Sequence, residues 1–99
     1  MALITFYDST ELDEEQLTDS LNGTDHHWEF VADKVEPTNC NPNAEVISVF
    51  VTSNITRAVI ESLPKLKLIA LRSTGYNNVD FEAAKEHGIV IVNVPVYGN

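Results

Sequence analysis

The chain has 99 residues, 43% of them hydrophobic and 21% charged, which suits one domain with a modest core and excludes a fibrous or disordered protein. Fifteen acidic against 6 basic residues give a formal net charge of -9, a surface that repels nucleic-acid phosphates and anionic membranes. A lone Cys40 rules out an internal disulfide, no apolar run approaches the ~20 residues of a membrane span, and the start lacks the basic stretch of a signal peptide, so a cytoplasmic protein is expected.

Leu3 to Tyr7 reads as a strand. Ser9 or Thr10 then caps a helix over Glu11 to Leu21, with acids in its first turn and Asn22-Gly23 as its stop. Trp28 to Val31 is a second short strand. Val35 to Ala44, with Pro37, Pro42 and three asparagines, is a loop with room for a short helical turn. Val46 to Val51 is apolar nearly throughout, the mark of a strand covered on both faces of a parallel sheet. Asn54 or Thr56 caps a helix to about Leu63, stopped near Pro64, and Leu66 to Leu71 is another buried strand. Val79 to His87 is helical, with Asp80 as N-cap and Gly88 as C-cap, and Ile89 to Val92 forms the last strand before Pro95.

This rhythm calls for crossover connections. The expectation is an α/β, flavodoxin-like three-layer sandwich with a parallel five-stranded sheet of order 2-1-3-4-5. Ligands in such sheets bind beyond the carboxyl ends of the strands, which singles out four loops: Asp8-Ser9-Thr10, Thr52-Ser53-Asn54, Arg72 to Asn78, and Pro95 to Asn99.

The most informative loop is A-L-R-S-T-G-Y-N-N-V-D, Ala70 to Asp80. Gly75 lets the backbone turn where a side chain would clash, and the N–H groups of Ser73, Thr74 and Gly75 can then converge on a carboxylate or phosphate. Many αβ loops carry a glycine for turn geometry alone. Arg72 suits either a second anchor for an anion or the partner of a nearby acid. His26, His27 and His87 show no metal-ligand spacing, and Cys40 has no second Cys or His nearby in sequence. A phospho-receiver would need an acidic acceptor where the third strand ends in Val51-Thr52. A flavin site would need a glycine in Asp8-Ser9-Thr10, where the acid would repel phosphate.

From Ala44 to the last residue, and above all in R-S-T-G-Y-N-N-V-D-F-E-A-A-K-E-H-G and N-V-P-V-Y, the sequence resembles the D-isomer-specific 2-hydroxyacid dehydrogenases, particularly their D-lactate dehydrogenase branch. Residues 1–43 fit only in their β-α-β layout. The resemblance implies that the amides of Ser73, Thr74 and Gly75 hold the substrate carboxylate. It also implies that Tyr97 stands near the substrate and that Phe50 lines the pocket for its side chain. The alternatives are an aromatic plug at a domain seam for Tyr97 and a core residue for Phe50.

The same resemblance implies hydride exchange between NAD and a small D-2-hydroxy or 2-keto acid. The acid/base His, its Glu partner and the carboxylate-binding Arg of that reaction match nothing in this chain. Gly23, Gly75, Gly88 and Gly98 nowhere form G-x-G-x-x-G. Residues 1–99 are therefore expected to be the N-terminal portion of a substrate-binding domain. It lacks its NAD-binding domain, binds no cofactor and holds no catalytic residue, and so is inactive alone. The apolar surface such a fragment exposes is expected to bind a hydrophobic dye or a second copy as a homodimer. The rival reading is a stand-alone flavodoxin-like module that senses a small carboxylic acid.

Overall fold

The computed structural model describes residues 3–50, 53–72 and 79–93. The elements are β1 (Leu3–Phe6), α1 (Glu11–Leu21), β2 (His27–Phe30), a 3-10 turn (Pro37–Asn39), β3 (Val46–Val49), α2 (Arg57–Glu61), β4 (Leu68–Leu71), α3 (Phe81–Glu86) and β5 (Val90–Asn93). All five strands run parallel in the order β2-β1-β3-β4-β5, the order expected from the sequence.

Local chemistry sets the element ends. The Thr56 hydroxyl accepts the Val59 N–H at 3.3 Å and starts α2. The Asp80 carboxylate accepts the Ala83 N–H at 3.1 Å and starts α3. Gly88, at φ 69, lets the chain turn out of α3 in a left-handed conformation that other residues adopt only with strain. In the β2–β3 connection the asparagines fold the chain on itself. The Asn39 side chain accepts the Glu36 N–H and donates to the Lys34 carbonyl, both at 2.9 Å, and the Asn41 side chain accepts the Asn43 N–H at 3.0 Å.

Several boundaries differ from those expected. Val79 is not helical: it forms a parallel bridge with Ile55 and precedes the Asp80 cap. Leu66 lies in a turn ahead of β4, its side chain in the core. Both end strands are shifted by a residue, to His27–Phe30 and Val90–Asn93, and α2 stops at Glu61.

Alternation along the strands gives the sheet two unlike faces. Through the register, Tyr7, Ile47, Val49, Ile69 and Leu71 share one face, all at 0% exposure. They form one core with Val59 and Ile60 of α2, Ala83 and Ala84 of α3, and Val35 and Ala44 of the connection. Ile4, Phe6, Trp28, Phe30, Val46, Leu68, Val90 and Val92 share the other face. Right-handed crossover puts α1 there, because β1 to β2 runs against the direction of the other connections. Phe6 stacks on Phe30 with ring centroids 5.3 Å apart, yet Val90 and Val92 remain 57% and 37% exposed. β3 is buried on both faces, at Ile47 and Val49 on one and at Ser48 on the other, with only Val46 at its start half-buried.

Candidate functional site

Parallel pairing collects the carboxyl ends of all five strands on one edge, where Asp8, Phe50 and Arg72 meet. Asp8 leaves β1 with φ 57, a left-handed conformation tolerated by Asp but rare in other non-glycine residues. Its N–H donates to the Asp33 carbonyl at 3.0 Å, and the next N–H, of Ser9, donates to the Val31 carbonyl at 3.1 Å. The turned backbone aims the carboxylate across the edge. There Oδ2 accepts the Phe50 N–H at 3.0 Å and the Ser53 hydroxyl at 2.7 Å. The Ser53 oxygen, fully buried, accepts the Val35 N–H at 2.9 Å. Asp8 therefore fastens the loops after β1 and β3 together.

Arg72 follows β4 and is 4% exposed. Its N–H donates to the Val49 carbonyl at 2.8 Å, extending the β3–β4 ladder by one bond. Its guanidinium donates to the Tyr7 carbonyl and, at 3.4 Å, to the Ser48 carbonyl, and its Cζ lies 4.5 Å from the centroid of the Phe50 ring. Two strand-end carbonyls and an aromatic ring are among the groups that stand against this buried side chain. Phe50, expected in the pocket wall, is half-buried at the edge and outside the sealed core. Ser73, Thr74, Gly75 and Tyr97, the other expected substrate contacts, lie outside the described residues.

Sequence reasoning missed Asp8 and Ser53 as structural partners. The one available signal was an acid closing an apolar strand. Nothing local indicated that it would meet a serine 45 positions away. Among the described residues no three His, Cys, Asp or Glu side chains gather to hold a metal, and no helix is long and apolar enough to cross a membrane.

Tyr7 lies beneath this edge, its hydroxyl donating to the Asn39 carbonyl at 3.0 Å. Burial, with the neighbouring Cys40 and Glu29, holds its phenol well above the ordinary value. Burial also pushes the Cys40 thiol up, with the Tyr7 hydroxyl partly offsetting it, so little of the nucleophilic thiolate forms. Below pH ~10 the folded and unfolded chains both keep the Tyr7 proton, so this contribution to stability is fully present. Above that value the unfolded chain loses the proton and the folded chain keeps it, and stability is lost as pH climbs toward the folded value. The expected result is an unfolding free energy that falls above pH ~10, with one of the 3 tyrosines ionising late in a phenolate absorbance titration. Tyr7→Phe should remove the late component, and a titration unchanged by that substitution would contradict this account.

Comparison with known proteins agrees with this fold. The model of the D-isomer specific 2-hydroxyacid dehydrogenase catalytic domain matches residues 4–99. A 2-hydroxyacid dehydrogenase homolog of Haemophilus influenzae is 49% identical over 57 residues, which are 56% of this chain and 17% of that protein. The D-lactate dehydrogenase of Escherichia coli is 49% identical over 55 residues, 54% of this chain and 17% of that protein. The apo structure of D-lactate dehydrogenase from Escherichia coli superimposes with a TM-score of 0.85 at 31% identity, covering 96% of this chain and 31% of that one. D-lactate dehydrogenase from Aquifex aeolicus, solved with NAD and lactic acid, gives 0.81 at 28% identity, covering 96% and 28%. This chain thus spans less than a third of either solved relative. With the match running the length of the five-stranded sheet, the chain belongs to the D-isomer specific 2-hydroxyacid dehydrogenases, within their catalytic domain.

Proposed function

We propose that this chain is the substrate side of an NAD-dependent oxidoreductase that interconverts a small D-2-hydroxy acid, such as D-lactate, and its 2-keto acid, and that it is inactive by itself. The observation that carries the reading is the meeting of Phe50 and Arg72 at the carboxyl edge, one residue before Ser73-Thr74-Gly75. In this reading the amides of Ser73, Thr74 and Gly75 hold the carboxylate, and the Tyr97 hydroxyl donates to the carboxylate or to the reacting oxygen. Phe50 bounds the substrate's side chain.

The residues present do not suit the dinucleotide. The turn after β1, where a glycine-rich phosphate loop would stand, carries Asp8, whose carboxylate is turned onto Phe50 and Ser53. Gly23 and Gly88 follow helices instead of opening them. NAD is bound, in this reading, by the part of such an enzyme that this chain does not span, and no hydride step involves the residues described here. The half-open sheet face with Val90 and Val92 is, in this reading, the seat for a further segment of such an enzyme or for a second copy of the chain. A cytoplasmic location fits the same reading.

Titrating isotopically labelled chain with pyruvate and then D-lactate, observed by NMR, tests this. Saturable shifts are expected at the Ser73, Thr74 and Gly75 amides, with acetate binding about tenfold or more weakly because it lacks the 2-oxygen. Shifts that never saturate, or that fall elsewhere, would overturn the reading.

A further inference from the structure

The substrate reading assigns the Arg72 side chain no contact with the substrate. We propose that Arg72 is a positioning residue which fixes the Phe50 ring as the pocket wall and thereby sets which 2-keto acid side chains fit; the proposal rests on the reading above.

Phe50 sits in a loop, where one aromatic side chain would ordinarily sample several rotamers. Here it is held from two sides. The Asp8 carboxylate takes its N–H at 3.0 Å, and the Arg72 guanidinium lies against its ring at 4.5 Å from the centroid. The guanidinium is itself fixed, because its edge donates to the Tyr7 and Ser48 carbonyls and its own backbone is bonded to Val49, the residue before Phe50. Three strand ends therefore locate one planar cation, and that cation locates the ring.

Arginine suits this post in a way lysine does not. A flat guanidinium stacks by its face and still donates from its edge, whereas an ammonium on a flexible stem can do one or the other. The position also matters because Arg72 directly precedes Ser73. The residue that orients the side-chain wall is thus joined by one peptide bond to the loop assigned to the carboxylate.

The test measures dissociation constants of pyruvate and 2-ketoisocaproate by NMR for the wild-type chain, Arg72→Lys, Phe50→Leu and the double variant. Arg72→Lys is expected to leave pyruvate within about 2-fold and to change the ratio of the two constants about 5-fold or more, since side-chain fit discriminates on that scale. If Arg72 acts through the ring, the double variant shows the ratio of Phe50→Leu alone. An unchanged ratio in folded Arg72→Lys, or additive changes in the double variant, overturns the proposal. A wild-type chain that binds neither acid sinks the substrate reading and with it this role, whereas an unchanged ratio in a chain that binds both acids sinks this role alone. If Arg72→Lys does not fold, the δ-methylene protons of wild-type Arg72 decide. They should resonate upfield under the Phe50 ring and move back in Phe50→Leu, and normal shifts in the wild type would refute the stacking on which the role depends.

Discussion

Replacing Ile47 with alanine is expected to lower the unfolding free energy by about 3–4 kcal/mol. Ile47 lies at the middle of the central strand β3, at 0% exposure, between the Thr5 and Ile69 positions of its neighbours and inside the single core formed with α2 and α3. Its truncation removes three carbons from a site walled by the sheet on one side and helices on the other, so the cavity has little freedom to collapse. A domain of this size has on the order of 5–15 kcal/mol in all. The loss should appear as a fall of roughly 15 °C or more in Tm and as a lower urea midpoint with the slope unchanged. Val92→Ala, which removes two carbons on the opposite face at 37% exposure, should cost less than about 1 kcal/mol. Equal costs at the two sites would mean that the second face is as well covered as the first, against the exposures of Val90 and Val92.

Asp8→Ala should cost about 3 kcal/mol, most of it from the two bonds that the carboxylate accepts. Bonds to a charged acceptor are worth about 1.5–3 kcal/mol each, and their loss leaves the Phe50 N–H and the Ser53 hydroxyl without this acceptor. Alanine also fits poorly at φ 57, which adds of order 1 kcal/mol. Asp8→Asn keeps an oxygen acceptor and tolerates the left-handed backbone, so it should cost only about 1 kcal/mol. Denaturant unfolding gives the totals, and amide exchange at Phe50 locates them: protection there should fall in Asp8→Ala well before that of Ile47. If Asp8→Ala lies within about 0.5 kcal/mol of wild type, the carboxylate does not fasten the two loops.

Much of the architecture was readable from local pattern, and the exceptions have physical causes. The order of strands followed from the alternation of apolar runs and capped helices, because crossovers in a parallel sheet allow few other arrangements. Val79 was misread as helical because a β-branched residue just before an N-cap looks, by spacing alone, like the first turn of the helix; its bridge to Ile55 is a tertiary event. Leu66 shows the same limit, since an apolar residue can enter the core from a turn as readily as from a strand. The run of six residues from Val46, five of them apolar, suggested cover on both sides. Ile47, Ser48 and Val49 are indeed buried on their two faces, and only Val46 at the start of the strand is half-buried. At the site, Phe50 was named through family resemblance; it directly follows β3 at the carboxyl edge of the sheet. The Asp8–Ser53 and Arg72–Tyr7 contacts join residues 45 and 65 positions apart, beyond the reach of any short-range periodicity.

Every partner in the sheet comes from a distant stretch of chain. Leu3 pairs with His27, and Ile4 also pairs with Val46, so β1 is flanked on both sides by strands that are synthesised after it. No hairpin is available to nucleate the sheet, and each pairing must first close a long loop. Such topologies fold slowly. A nascent chain leaving the ribosome must carry β1 with an open edge until β3 has emerged, a period in which its backbone groups are exposed to other chains. The time taken to synthesise residues 6 to 49 then sets how long that edge stays open.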